Sequence, residues 1–167
     1  MSGVIQLMVS QKIASAGGSR EYTAGNLILF PEDLNNAVWN KGYLAVSSTG
    51  NTDPFGGSTS IKYNNWSSTR TTIRQTVTVT TGVEYTLTFY AKKGTTTDMR
   101  WGVTNTLNQV IVASTSYLSQ TTQDVWELVS VSFTSASTNL YIFIAYDHGS
   151  TGTFEVWGAN LDLTSNY

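Results

Sequence analysis

Two neighbouring segments of the chain alternate with a period of two residues. In Ile73-Arg74-Gln75-Thr76-Val77-Thr78-Val79-Thr80, Val77 and Val79 fall on one face and Thr76, Thr78 and Thr80 on the other. Beyond Thr81-Gly82, Tyr85, Leu87, Phe89 and Ala91 alternate with Thr86, Thr88 and Tyr90. Successive side chains of an extended chain point to opposite faces, so this pattern of β-branched and aromatic residues predicts half-buried strands. The short Gly-containing connection predicts that the two pair as a hairpin. Further strand-like runs follow at short intervals: Met99 to Thr104, Gln109 to Ala113, Val125 to Thr134, Leu140 to Tyr146 and Thr153 to Leu163. Earlier ones are Asn26 to Phe30, Trp39 to Ala45 and Ile61 to Asn64. No segment sustains a helical apolar period over three turns, and Glu32 to Asn36 offers one helical turn at most. Eight to ten short, evenly spaced strands predict an all-β sandwich or barrel.

At 167 residues the chain has the length of one domain. Its first 25 residues differ from the rest. Val4, Ile5, Leu7, Met8, Val9 and Ile13 form a short apolar patch, and Ala14-Ser15-Ala16-Gly17-Gly18-Ser19 follows as a flexible joint. The patch is too short for a core of its own and reads as a docking arm, residues 1 to 25, ahead of a domain at 26 to 167. Ser47 to Ser60, rich in Ser, Thr, Gly and Asn, reads as a long surface loop.

Composition excludes several functions. Only 12% of the residues are charged, about half the usual share of roughly 25%. The polar surface must therefore come from Ser and Thr, which number 45, and from Asn. A formal charge of −2 and a pI near 5.2 argue against a nucleic-acid partner. No apolar run approaches the roughly 20 residues of a membrane span. The N-terminus has no early Lys or Arg, and Gln6 and Gln11 interrupt its apolar stretch, so no signal peptide is expected.

Catalytic constellations are equally sparse. The chain has no Cys and one His, which removes thiol nucleophiles, disulfides and ordinary zinc sites. His148 lies beside Asp147 in a Gly-containing turn, where a solvated role is the simple reading. Asp53, Asp98 and Asp147 sit in loops, and no pair of acids is visible at the spacing glycoside hydrolysis needs. The glycines occupy turns and do not join a strand to a helix, so no phosphate cradle is expected. The chain is not expected to be an enzyme and needs no cofactor.

The aromatics are the remaining feature. Five Trp and nine Tyr are available for stacking on flat ligands or for anchoring partners. Trp39, Trp126 and Trp157 read as packing positions. Trp66, in the polar stretch Tyr63-Asn64-Asn65-Trp66, shows no burial pattern, leaving ligand contact, partner contact and packing open. Tyr63, Trp66, Tyr90 and Trp101, with Tyr43, are the candidate glycan or partner contacts.

The segment Asn26-Leu27-Ile28-Leu29-Phe30-Pro31-Glu32-Asp33-Leu34-Asn35-Asn36-Ala37-Val38-Trp39 resembles the opening of a jelly-roll domain common in phage structural and tail proteins. Gln75 to Lys92 looks like that domain's central hairpin, Trp126 to Phe133 like its next Trp strand, and Phe154 to Leu161 like its closing strand. The resemblance spans residues 26 to 163 and extends to galactose-binding-like carbohydrate-binding modules of family 4/9. It implies a jelly-roll β-sandwich of about 8–10 antiparallel strands with an extended N-terminal arm. It also implies a structural calcium held by paired acids in the closing strand; Gly158 and Ala159 replace that pair here, so no metal-ligand residues are assigned, although carbonyl and Asp oxygens of a loop could still hold calcium without a readable motif. The function it implies is that of a non-enzymatic virion protein of a tailed bacteriophage. Such a protein would be a capsid decoration (cement) or small tail accessory protein, made in the host cytoplasm without a signal peptide. It would dock on other virion proteins through Val4, Ile5, Leu7, Met8, Val9 and Ile13 and form a homo-oligomer such as a trimer. The alternative is a carbohydrate-binding module recognising host surface glycan.

Overall fold

The computed structural model describes residues 25–42, 44–65, 72–113, 122–146 and 151–167. The proposed docking arm, Trp66, Tyr43 and the Asp147-His148 turn lie outside the described residues. Ten strands are present: β1 (Asn40–Gly42), β2 (Leu44–Asn51), β3 (Ser60–Asn65), β4 (Thr72–Thr78), β5 (Glu84–Lys93), β6 (Arg100–Asn105), β7 (Val110–Ala113), β8 (Trp126–Thr134), β9 (Asn139–Tyr146) and β10 (Gly152–Leu163). They form two five-stranded antiparallel sheets, a first in the order β1-β4-β9-β6-β7 and a second in the order β2-β3-β10-β5-β8. This is the β-sandwich expected from the alternation, with the jelly-roll architecture implied by the resemblance. No helix among the described residues is long and apolar enough to cross a membrane.

Strand parity builds the core. Ile73, Val77, Val103, Leu140, Ile142 and Ile144 of the first sheet face Tyr85, Leu87, Phe89, Phe154, Val156 and Leu161 of the second. Burying each such side chain contributes about 1.5–3 kcal/mol. The hairpin expected between β4 and β5 does not form. The chain crosses between sheets there, β4 pairing with β1 and β9, and β5 with β8 and β10. The crossing is fastened locally: the Thr80 amide donates to the Tyr85 hydroxyl (2.9 Å), and the Gly82 amide to the Ser135 carbonyl (2.8 Å). A strand buries the same apolar face whether its sequence neighbour lies beside it or in the opposite sheet, so local alternation cannot separate these cases. The surface loop expected at Ser47 to Ser60 is also shorter, because β2 runs on to Asn51.

Asn26 to Phe30 is not a strand but a clasp between the sheets. Asn26 Oδ1 accepts from the Ile28 and Leu161 amides, both at 3.0 Å, and the Leu27 amide donates to the Leu161 carbonyl at 2.8 Å. From the other sheet, the buried Gln75 side chain donates to the Leu29 carbonyl (2.6 Å) and accepts from its amide (3.0 Å). Trp39 donates its indole N–H to the Phe30 carbonyl at 3.0 Å, and residues 33 to 39 make two successive turns in place of a helical turn. The clasp thus occupies the flank that the short strands β1 and β3 leave open.

Two outcomes follow. Gln75→Ala strands both backbone groups of Leu29 and is expected to cost about 2–4 kcal/mol, whereas exposed Ser130→Ala stays within about 0.5 kcal/mol; urea unfolding of the two variants measures the difference. Tyr63 is buried with its hydroxyl unpartnered among the described residues, and burial first, then the Asp33 charge, pushes its pKa above the ordinary 10.0. Stability from a neutral Tyr63 is therefore complete below pH 10.0 and lost as pH rises toward the raised folded value. Tyr63→Phe should raise stability by about 1 kcal/mol and move alkaline unfolding to higher pH, read by circular dichroism against pH.

Candidate functional site

The aromatics singled out from the sequence are not brought together. Tyr63 is fully buried between the sheets with its ring 5.7 Å from that of Phe154, and Trp101 lies in the same core. Neither ring offers a face to solvent, because each sits at an inward position of its strand. Tyr90 points outward from the second sheet but is covered, its ring centroid 5.6 Å from Phe55.

That cover closes much of the second sheet's outward face. Asp53 staples the loop at 52–59 by accepting from the Phe55 amide (2.9 Å), the Gly57 amide (3.0 Å) and the Thr59 hydroxyl (2.8 Å). The indoles of Trp126 and Trp157 fasten the loop down, donating to the Thr52 carbonyl (3.1 Å) and the Thr59 hydroxyl (2.9 Å). Beneath it the buried Glu155 carboxylate is satisfied by Lys92 Nζ (2.7 Å) and the Ser60 hydroxyl (2.6 Å). At the other end Thr164 bonds Thr86, and Tyr167 bonds Asn160.

The first sheet's outward face carries no such cover among the described residues. On β9, Leu140, Ile142 and Ile144 enter the core, so Asn139, Tyr141 and Phe143 point out. Simple alternation would then send Ala145 out and Tyr146 in. Instead the pairing slips between Ile73 and Arg74 on β4, Ile144 and Ala145 both enter the core, and Tyr146 joins Phe143 outside. A bulge commonly re-aims a side chain in this way. Tyr141 and Phe143 meet edge to face at 6.3 Å, and Phe143 and Tyr146 at 5.8 Å.

Neighbouring strands set polar groups around this row. Thr76 and Thr104 flank Tyr141, Arg74 and Gly102 flank Phe143, and Thr72 and Arg100 flank Tyr146. The Arg74 guanidinium lies 4.2 Å over the Tyr141 ring and 5.4 Å from that of Phe143, within cation–π range. Gly102 places no side chain beside Phe143. Thr104 keeps a buried hydroxyl without a hydrogen-bond partner among the described residues. Arg100 is held by Asp98 in two bonds, at 3.1 and 2.8 Å. Half-exposed rings bordered by hydroxyls and a guanidinium can hold the C–H face of a sugar while bonding its hydroxyls. The signal for this row was present in Asn139-Leu140-Tyr141-Ile142-Phe143, where aliphatic residues alternate with polar and aromatic ones.

The closing strand does not recreate the acid pair implied for calcium. Gly158 and Ala159 form a bulge, Gly158 at φ 65°, and both aim their amides at the Pro31 carbonyl. Amide donors there do not suit a cation. Asp162, farther along β10, bonds through Oδ1 to the Leu163 amide (2.6 Å) and Asn166 (2.8 Å), while its buried Oδ2 is unpartnered among the described residues. No group of three or more metal-ligating His, Cys, Asp or Glu occurs among the described residues.

No protein-family model matches the chain, and no curated protein matches it in sequence. Solved structures match it in shape. The CBM22-1 xylan-binding domain of Xyn10C from Paenibacillus barcinonensis has a TM-score of 0.60 at 11% identity, covering 86% of this chain and 97% of that one. The module TmCBM61, solved in complex with β-1,4-galactotriose, has a TM-score of 0.53 at 14% identity, covering 83% of this chain and 98% of that one. The enzymatically active domain of bacteriophage CBA120 tailspike protein 4 has a TM-score of 0.58 at 14% identity. There the match covers 83% of this chain and 21% of that one, so this chain spans about a fifth of the tailspike domain. Identities this low speak for the fold: the chain is a jelly-roll sandwich resembling the galactose-binding-like carbohydrate-binding modules.

Proposed function

We propose that this chain is a non-enzymatic glycan-binding module that holds a saccharide on the outward face of its first sheet. The observation that carries this reading is the row Tyr141–Phe143–Tyr146, half-exposed, in successive ring contact and bordered by Arg74 and the exposed Thr76. The xylan-binding and galactotriose-bound modules support it, as proteins of the same fold that take saccharides. The face offers ring surface and hydrogen-bonding groups together, the combination a polar ligand with apolar faces requires.

The tailspike domain favours a second reading, in which the chain belongs to a tailed-phage virion as a capsid decoration or small tail accessory protein. In that setting residues 1 to 25 would dock it to other virion proteins, with assembly as a trimer, and the open sheet would still be free to meet host glycan. The two readings are compatible, and the glycan-binding one rests on described geometry.

A glycan array on the full chain, followed by calorimetry with the best oligosaccharide, tests the site. Tyr141→Ala and Phe143→Ala should each weaken binding by about tenfold or more, equivalent to about 1.4 kcal/mol, while Ser130→Ala on the other sheet leaves it unchanged. Retention within twofold by a folded Tyr141→Ala/Phe143→Ala double variant would remove this face as the site.

A further inference from the structure

Acidic charge is partitioned between the two sheets. None of the chain's eleven acids lies within the five strands of the first sheet, which contain Lys41, Arg74 and Arg100. The second sheet holds Glu84, Glu127, Glu155 and Asp162 together with Lys62, Lys92 and Lys93, so it is the acids that are confined to one sheet. Lys41 pairs with the core residue Ile73 and so lies toward the inward side, which leaves Arg74 and Arg100 as the cations of the face carrying the aromatic row, in a chain of net charge −2. Such a local field favours an anionic ligand whatever the overall charge.

The three cations differ in what they touch. Lys41 spends its ammonium on the Leu34 and Asn36 carbonyls, at 2.8 and 3.1 Å. Arg100 is locked to Asp98. Arg74 has neither a hydrogen bond nor an ion pair among the described residues, only the rings of Tyr141 and Phe143. A cation–π contact engages the guanidinium without using up its N–H donors, and no protein acceptor among the described residues takes them, so they remain available to a ligand. That planar fork matches the two oxygens of a carboxylate. Asn40, opposite Arg74 on β1, and Thr76, two positions along β4, stand beside it as further donors.

Building on the glycan-binding reading above, we infer that the saccharide taken by this face carries carboxylates, as in a hexuronate polymer, with Arg74 pairing one carboxylate while the sugar ring lies along Phe143 and its neighbours. Arg74 is then a specificity-determining residue: it selects among glycans, and the aromatic row holds them.

The test compares oligogalacturonate and oligoguluronate with their carboxyl-reduced counterparts, and with dextran sulfate, by calorimetry on the full chain. The expected result is at least tenfold tighter binding of the carboxylated forms, falling as NaCl is raised from 50 to 500 mM. Arg74→Gln should abolish that preference, bringing the affinity for the carboxylated forms down to that for their carboxyl-reduced counterparts, and Arg74→Lys should restore part of it. Equal or tighter binding of the carboxyl-reduced forms would overturn the inference while leaving the glycan-binding reading intact. A preference that survives Arg74→Gln overturns the role of Arg74. Tighter binding of dextran sulfate would replace carboxylate recognition by unspecific anion capture. A folded protein that binds none of these nor any neutral glycan overturns both readings.

Discussion

Each sheet of this protein buries one face against the other, and the rest of the structure depends on what becomes of the two faces left outside. The inward faces meet as aliphatic residues from the first sheet against a more aromatic set from the second. Because a strand sends its side chains alternately to the two faces, committing one set to the core commits its neighbours to the outside. In β9 the inward Leu140 and Ile142 thereby place Tyr141 and Phe143 outward. The single slip in pairing that brings Tyr146 round completes a contiguous row.

The outward faces then diverge. On the second sheet the loop stapled by Asp53 and the residues after β10 come down over Tyr90, Trp157, Glu155 and Asn160. Burying a carboxylate costs several kcal/mol unless it is paired and hydrogen-bonded, and Glu155 has both Lys92 and Ser60. The strands of the first sheet lack acids, and among the described residues its outward aromatics are covered by one another and by the guanidinium of Arg74. One face has been made part of the interior, and the other has kept rings, hydroxyls and positive charge at the surface.

Most strands were legible in the sequence: nine of the ten fall close to where alternation predicts them, whereas β2 runs largely through the stretch read as a loop and Asn26 to Phe30 forms no strand. The partners of the strands were not legible. β4 and β5 carry two clear alternating patterns of the chain, yet a hairpin and a crossing between sheets impose the same local pattern. The candidate aromatics fared similarly. Tyr63 and Trp101 were candidates as large aromatics of the strand-rich region, but the parity of their strands turns both into the core. Trp157 and Tyr90 lie outward and are nevertheless buried, because a loop more than 30 residues from Tyr90 along the chain covers them.

What the sequence determined by itself is everything that depends on residues one or two positions apart: extended structure, the parity of each strand, the turns and the scarcity of charge. Even the outward Tyr141 and Phe143 could be read from that parity. Tertiary structure alone decided which strands are neighbours, which outward face is covered, how the clasp at Asn26 to Phe30 joins both sheets, and that Tyr146 points outward. The physical reason is range. Each of these rests on a bond or a register set between distant residues, such as Leu29 with Gln75 across 46 positions and Asn26 with Ala159 across 133. Only the folded sandwich brings such partners within reach.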